Sequence, residues 1–193
     1  MGAQVGAIIR RNIGFASLVS VFVASLLLNV GLALNLRRPV GHIAGVTVGT
    51  DAKEIPVIST TDDAAGKLTF GDGRPAVLYI MSPTCHWCAR NLDNVRALAA
   101  GIESKYRFIG LSNTQEGLAE YVRATALPFP VHAVDMGRLP DGLDARATPQ
   151  LVLVGADGVV KKVWEGALSG KSQSEVEGFF HVRLPGLLPA RGS

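Results

Sequence analysis

The stretch Val77-Leu-Tyr-Ile-Met-Ser-Pro-Thr-Cys-His-Trp-Cys88 decides how this chain is interpreted. Residues 76–81 are continuously apolar and of strand length, as expected for a central strand that is covered on both faces. They are followed by two cysteines three positions apart, Cys85 and Cys88. If a helix begins at this motif, the second sulfur lies one turn after the first, close enough for a disulfide. The sequence therefore predicts a buried strand that leads into a CxxC motif at a helix start.

The 193-residue chain has only these two cysteines, which favours redox chemistry over a disulfide framework. The N–H groups at a helix start also favour the thiolate form of the first cysteine. Zinc is a minor alternative, because His42, His132 and His181 are too scattered to complete four ligands. Haem attachment requires a histidine directly after the second cysteine, where Ala89 stands. A purely structural disulfide is another minor alternative, because so short a loop restrains little of the unfolded chain.

A charge-free segment, residues 12–36, precedes the motif. It is long enough to cross a bilayer as a helix, which takes about 20 apolar residues. We expect an uncleaved single-pass anchor there, after a short N-terminal tail at residues 1–11. Cleavage as a signal peptide is a weaker alternative, because Gly31-Leu32-Ala33 is a poor cleavage site, and a buried core helix is weaker still.

The orientation of the anchor depends on its flanks. Two arginines lie on each side of the span, but the N-terminal amine and the short tail favour a cytoplasmic N-terminus. The remaining chain would then lie on the periplasmic side of a bacterial inner membrane, where thiol–disulfide exchange persists. The net charge is only +3, and no basic stripe is interleaved with aromatic residues, so nucleic acid is not an indicated partner.

After the anchor, hydrophobic runs and turn signals predict one α/β domain at residues 54–183. A tether and domain entry at residues 37–53 precede it, and a C-terminal tail at residues 184–193 follows. Parallel units come first and an antiparallel hairpin comes last, which implies a mixed sheet with helices on both faces. The predicted strands are 55–60, 67–70, 76–81, 106–111, 150–154 and 159–165, and the predicted helices begin at Cys88, near Asn113 and at Ser172. Asn113 and Glu116 resemble a capping box. The predicted polar side of the helix at Cys88 consists of Arg90, Asn91, Asp93, Asn94 and Arg96.

A strand, a CxxC helix and a distant Thr148-Pro149 that opens a hairpin together resemble the thioredoxin fold. More narrowly, residues 49–182 resemble the membrane-anchored TlpA/ResA-like thiol:disulfide oxidoreductases. The resemblance implies a thioredoxin-like α/β fold, a redox-active dithiol and no metal or organic cofactor. Besides the CxxC strand, its carriers are Leu127-Pro-Phe-Pro-Val131, Ala147-Thr-Pro-Gln-Leu-Val152 and Val154-Gly-Ala-Asp-Gly-Val-Val-Lys161.

The resemblance also implies roles for four residues. Cys85 would be the attacking thiol, and Cys88 would be the resolving thiol. Pro149 would be a cis-proline beside the disulfide, where an ordinary trans-proline is the alternative. Thr148 would offer backbone hydrogen bonds to an extended substrate.

Two positions depart from the family pattern, and two further residues of interest lie between the cysteines. Thioredoxins have a buried acid where this chain has Tyr79, and ResA-like proteins have a glutamate where it has Asn91. Proton transfer at the resolving thiol therefore has no assigned group. An imidazolium at His86 would favour the Cys85 thiolate, although a solvated helix-start residue is an equal alternative. We expect Trp87 to form a hydrophobic lip for substrate, and packing against the domain is the alternative.

The sequence thus predicts a thiol:disulfide oxidoreductase that reduces or exchanges disulfides in exported proteins. Its expected partners are those proteins, a thiol protein that donates electrons, and the lipid bilayer through residues 12–36. The alternative function is a copper chaperone on the same scaffold, with both thiolates as Cu(I) ligands. Such chaperones usually show a wider cysteine spacing and a distant paired histidine, and neither is evident.

Overall fold

The computed structural model describes residues 20–31, 45–60 and 64–189. Contacts divide the chain after Ile43 into two units. In the first unit, residues 20–31 form a helix, α1, with exposed apolar side chains such as Phe22 and Leu28. No helix among the described residues is long and apolar enough to cross a bilayer. The rest of the predicted anchor, residues 12–19 and 32–36, lies outside the described residues, as do residues 1–11, 37–44 and 190–193, so the anchor stays a prediction.

The second unit is built on a seven-stranded sheet, which is mixed as predicted but has one strand more than the six predicted. In chain order its elements are β1 (Glu54–Ile58), β2 (Ala65–Thr69), β3 (Ala76–Met81), α2 (His86–Arg90), α3 (Leu92–Ile102), β4 (Arg107–Ser112), α4 (Leu118–Thr125), β5 (Val131–Val134), β6 (Gln150–Val154), β7 (Val160–Glu165) and α5 (Gly170–Phe180). Across the sheet the order is β2-β1-β5-β4-β3-β6-β7. The neighbours β3–β4 and β4–β5 are parallel, and the other neighbouring pairs are antiparallel.

Strand β3 is buried along its whole length, as its apolar run predicts. Because side chains alternate along a strand, β3 contributes to two hydrophobic cores on opposite faces of the sheet. Val77, Tyr79 and Met81 belong to one core, and Leu78 and Ile80 belong to the other. The strand therefore connects the CxxC motif directly to the buried centre of the sheet.

The prediction of helices on both faces of the sheet is wrong for the described residues. The buried apolar side chains of α3, α4 and α5 all belong to the core that contains Tyr79. Non-helical segments supply Val46 and Ala52, and also Leu143 and Ala145, to the opposite core. The connections β3-α3-β4 and β4-α4-β5 step in the same direction across the sheet. Right-handed crossovers in one direction place their helices on one face, which explains the difference.

Three local features also differ from the predictions. The short strand β5 was not predicted, because prolines at 128 and 130 mark a loop in the sequence. The helix α4 begins after Gly117, whose φ is 68°, and not at a capping box formed by Asn113 and Glu116. The motif helix is interrupted at Asn91, which ends α2 and begins α3.

Candidate active site

The CxxC motif lies where the chain leaves the buried strand β3. Cys85 is the N-cap residue of α2, with an extended backbone (φ −76°, ψ 111°). Its Sγ accepts a hydrogen bond from the backbone N–H of Cys88 at 3.1 Å. The two cysteines form a disulfide, and their Cα atoms are 5.2 Å apart. The sulfur of Cys85 thus occupies the place of the side-chain oxygen in an ordinary helix cap, where it meets a free backbone N–H group.

The two sulfurs differ in their access to solvent. Cys85 is half-buried, whereas Cys88 has no exposed surface and belongs to the core with Tyr79. An incoming disulfide can therefore reach Cys85 but not Cys88. This difference supports the predicted order of attacking and resolving thiols.

The Thr148–Pro149 peptide bond is cis, as expected. The next residue, Gln150, begins β6 and pairs with Ile80 near the end of β3. This antiparallel register places Thr148-Pro149 at the end of the sheet where the CxxC motif begins. The carbonyl oxygen of Pro149 accepts a hydrogen bond from the N–H of Gly166 at 2.8 Å, which ties it to the end of β7. The roles of Thr148 and Pro149 toward a substrate stay predictions.

Gln150 is a positioning residue that the sequence analysis missed. Its side chain is buried, and its Nε2 donates hydrogen bonds to the carbonyl oxygens of Ala147 at 2.6 Å and Asp144 at 3.2 Å. Its Oε1 accepts a hydrogen bond from the N–H of Val46 at 3.1 Å. One amide thus holds the loop that leads to the cis bond. The only sequence signal was a polar residue at the start of an apolar run.

The two residues between the cysteines are both exposed. Trp87 retains 49% of its accessible surface, so it does not pack into the domain core. The ring of His86 meets Trp87 edge-on, with centroids 5.7 Å apart, and the guanidinium of Arg90 lies 5.0 Å from the Trp87 ring centroid. An exposed indole beside Cys85 is consistent with the predicted hydrophobic lip. The influence of His86 on the thiolate stays a prediction.

The two positions that depart from the family pattern are both buried. The hydroxyl of Tyr79 has no hydrogen-bond partner among the described residues. Its burial raises the pKa of Tyr79 well above the ordinary phenol value. The side-chain amide of Asn91 acts in the opposite direction and lowers this pKa. It does not, however, form a hydrogen bond with the hydroxyl. Tyr79 therefore stays protonated at neutral pH and cannot take a proton from Cys88.

Asn91 and Asn94 are buried and do not lie on the predicted polar side of the motif helix. The Oδ1 of Asn91 accepts hydrogen bonds from the N–H of Leu168 and from Nδ2 of Asn94, both at 3.1 Å. The same Nδ2 donates to the carbonyl oxygen of Leu168 at 2.9 Å, and Oδ1 of Asn94 accepts from the N–H of Gly186 at 2.8 Å. The pair therefore ties α3 to the loop after β7 and to the C-terminal segment.

Metal ligands other than the two sulfurs are not gathered at this site. Within the part of the chain that the structure describes, no group of three or more His, Cys, Asp or Glu side chains could hold a metal ion. His132 lies in β5, where partial burial lowers its pKa. The geometry therefore offers a dithiol whose first sulfur is accessible and capped by a backbone N–H.

Solved structures with a similar fold include several named for thiol chemistry. A thiol:disulfide interchange protein from a Bacteroides species is 16% identical, with a TM-score of 0.54, and the match covers 70% of this chain and 91% of that one. The thioredoxin domain of a Bacteroides vulgatus thiol-disulfide oxidoreductase is 15% identical, with a TM-score of 0.53 and coverages of 70% and 99%. A thioredoxin family thiol:disulfide interchange protein from Chlorobium tepidum is 15% identical, with a TM-score of 0.51 and coverages of 69% and 97%.

Sequence comparison gives no such match. No family model matches the chain, and the search of curated proteins found no significant similarity. At identities of 15–16%, the structural likeness establishes the fold and not the activity. The domain after the first unit therefore has the thioredoxin-like α/β fold that the CxxC strand and Thr148-Pro149 predicted.

Proposed function

We propose that this chain is a thiol:disulfide oxidoreductase with Cys85 and Cys88 as its redox-active pair. One observation carries the proposal: an accessible, helix-capping Cys85 is disulfide-bonded to a buried Cys88. The cis Thr148–Pro149 bond at the same end of the sheet adds support. Two of the solved structures with a similar fold are named as thiol:disulfide interchange proteins, which also supports the proposal.

In the reducing direction, the reaction takes two exchange steps. The Cys85 thiolate attacks one sulfur of the substrate disulfide, a mixed disulfide forms, and the first substrate thiolate leaves. Cys88, once deprotonated, attacks Sγ of Cys85 and releases the second substrate thiolate. Two electrons pass to the substrate, and a Cys85–Cys88 disulfide remains. The two substrate thiolates take up one proton equivalent to that of Cys88 and one from solvent, which replaces the proton that Cys85 lost when it ionised. A dithiol protein must then reduce this disulfide for another turnover.

The proton of Cys88 needs an acceptor during the second step. Neither the protonated phenol of Tyr79 nor the amide of Asn91 can serve as a base at neutral pH. We therefore assign the proton to solvent or to the departing substrate thiolate, which is held at the same sulfur. This assignment needs no further side chain of the protein.

We also propose that the domain works on the extracytoplasmic side of a bacterial inner membrane, on disulfides of exported proteins. The charge-free run at residues 12–36 and the exposed apolar side chains of α1 support an anchor. Residues 45–53 of the predicted tether and domain entry form part of the domain, because Val46 and Ala52 are buried in its core, so residues 37–44 would link the domain to an anchor. Disulfides persist in that compartment, so substrates for the dithiol are available there.

A turnover assay on the full-length chain in detergent micelles tests the activity. With dithiothreitol as electron source, the protein should accelerate the reduction of insulin, and the double variant Cys85→Ser/Cys88→Ser should be at the uncatalysed rate. Metal content is measured on the same protein, purified under reducing conditions. Stoichiometric copper together with an uncatalysed rate for the wild type would favour the copper chaperone instead.

A further inference from the structure

The last described residues of the chain return to the motif helix. We call residues 184–189 the C-terminal strap; they follow α5 and have no regular secondary structure. Every second residue of the strap is held by a hydrogen bond from its backbone N–H. The three bonds, each 2.8 Å long, run from Leu184 to Oε1 of Glu177, from Gly186 to Oδ1 of Asn94, and from Leu188 to the carbonyl oxygen of Arg90.

Arg90 joins the end of the strap to the residues between the cysteines. Its Nε donates a hydrogen bond to the carbonyl oxygen of Leu188 at 2.8 Å, while its own carbonyl oxygen accepts from the N–H of Leu188. The same guanidinium lies over the ring of Trp87. The strap and the exposed indole are therefore parts of one continuous surface that begins beside Cys85.

A cavity of about 140 Å³ opens between α2 and the strap. An apolar cavity of roughly 150 Å³ can hold one benzene molecule, so this space fits a single leucine or phenylalanine side chain. Most of its wall is apolar, and it starts at the residue after Cys85. The lining residues are His86, Ala89, Arg90, Leu92, Leu188 and Pro189.

We propose that this cavity is a specificity site that accepts one apolar side chain of the substrate protein, close in sequence to the attacked cysteine. The proposal rests on the function proposed above. Ala89 lies four residues after Cys85, which corresponds to roughly 6 Å along a helix axis. An extended substrate covers that distance in about two residues. An apolar residue two positions from the substrate cysteine can therefore enter the cavity while its disulfide meets Cys85.

Matched disulfide peptides test this inference with the full-length protein. Each carries one cysteine linked to glutathione, and a leucine or a serine two positions before or after it. Pockets for apolar side chains discriminate by about tenfold or more, so we expect kcat/KM for one leucine peptide to exceed its serine counterpart by about that factor. Leu188→Ser should bring this ratio toward one, because the variant replaces an apolar wall with a hydroxyl.

Leu187→Ser is the matched control, since Leu187 is a neighbouring half-buried leucine that does not line the cavity. It should retain the wild-type ratio. Ala89→Leu, which fills the cavity from α2, should lower the ratio without any change in the strap. The readout is the ratio of kcat/KM for the leucine peptide to kcat/KM for the serine peptide. A loss of folded protein lowers both values equally and therefore leaves the ratio unchanged.

The outcomes separate the two proposals. If the wild type reduces leucine and serine peptides equally well, or if Leu187→Ser lowers the ratio as much as Leu188→Ser, the specificity site is refuted while the oxidoreductase stands. If the wild type reduces no peptide and no insulin, the proposed function itself fails. A leucine preference that both Leu188→Ser and Ala89→Leu diminish supports the site.

Discussion

The backbone N–H of Cys88 donates a hydrogen bond to Sγ of Cys85 across 3.1 Å. In the reduced protein the same donor can stabilise a Cys85 thiolate, because thiolates accept hydrogen bonds more strongly than thiols do. Among the described residues, no backbone N–H donates a hydrogen bond to Sγ of Cys88 in the same way. Cys88 is also fully buried. The position of the motif at the helix start thus gives the two cysteines different thiolate stability and different access to substrate.

This inequality predicts which cysteine variant traps substrates. Cys88→Ser should accumulate mixed disulfides with partner proteins, because Cys85 still attacks but nothing resolves the product. Cys85→Ser should trap none, because the remaining thiol is buried. Non-reducing gels of cells expressing each variant, followed by identification of the linked proteins, measure this difference. Equal trapping by the two variants would contradict the assigned order.

The buried amide of Asn94 predicts a large loss of stability on truncation. Asn94→Ala removes three hydrogen bonds and leaves the part-buried N–H of Gly186 and the buried carbonyl of Leu168 without these partners. An unsatisfied buried polar group costs about 1–3 kcal/mol, so we expect the free energy of unfolding to fall by at least about 2 kcal/mol. Denaturant titration of the full chain measures it.

Asp93→Ala is the control on the same helix turn. It removes a half-exposed ion pair with Arg96 and an acidic side chain in the first turn of α3, each of which contributes at most about 1 kcal/mol. Comparable losses for the two variants would mean that the buried amide network does not stabilise the domain.

The sequence could predict those features that local patterns encode. The apolar run of β3 and the first position of the CxxC motif were located correctly, because both depend on neighbours in the chain. The burial of Asn91 and Asn94 could not be predicted in this way. Their partners, Leu168 and Gly186, lie 77 and 92 residues away, and only those contacts make a buried amide tolerable. Helical periodicity records only that these residues are polar, so it placed them on the surface.

Two other features depend on topology and were missed for the same reason. Gln150 is polar, and the strand it opens is otherwise apolar. Two of its partners, Asp144 and Ala147, are close in the chain, but Val46 lies 104 residues away and becomes a neighbour only in the folded domain. The placement of helices on one face follows from the direction of successive crossovers, which the order of elements in the sequence does not specify.

The unpartnered hydroxyl of Tyr79 predicts a neutral or stabilising substitution. Tyr79→Phe removes a buried hydroxyl that has no partner among the described residues, so its desolvation cost disappears. We expect the free energy of unfolding at pH 7 to stay equal or to rise by up to about 1 kcal/mol. Insulin reduction should continue at the wild-type rate, because a protonated phenol takes no part in proton transfer. Destabilisation by more than 1 kcal/mol would show that the hydroxyl is hydrogen-bonded after all.

The same residue predicts how stability changes in alkali. Because burial raises the pKa of Tyr79 in the folded state, the unfolded chain loses this proton first, near the ordinary value of about 10. Above that pH the unfolded state binds fewer protons, so stability falls as pH rises. Tyr121, whose pKa burial also raises, adds to the fall. Denaturant titrations between pH 9 and pH 11 should show a shallower fall for Tyr79→Phe, and an unchanged slope would contradict this assignment.

The charge-free run at residues 12–36 predicts where the thiols are accessible. A membrane-impermeant thiol reagent added to intact, pre-reduced cells should label Cys85, because the domain would lie outside the cytoplasmic membrane. Cys85→Ser is the control and should stay unlabelled in intact cells, since Cys88 is buried. Labelling that appears only after lysis would place the domain in the cytoplasm.

His86 predicts a shift in the redox balance of the pair. A helix N-terminus stabilises an anion by about 0.3–1 kcal/mol, and one pKa unit corresponds to about 1.4 kcal/mol. We therefore expect the helix alone to lower the pKa of the Cys85 thiol only modestly, and an imidazolium directed at the sulfur would lower it further. We expect Cys85 to titrate below the free-thiol value of about 8.5, and His86→Gly to raise its pKa. Thiolate absorbance against pH measures both.

The reduction potential should move with that pKa. Stabilising the thiolate stabilises the reduced form, which makes the disulfide more oxidising, so His86→Gly should shift the potential to a more negative value. A loss of about 1.4 kcal/mol corresponds to about 30 mV for this two-electron couple. His181→Asn is the control, because His181 is exposed at the end of α5 with φ 56°, a conformation that asparagine tolerates. If equilibration with glutathione gives the same potential for the wild type and both variants, His86 is only a solvated residue at the helix start.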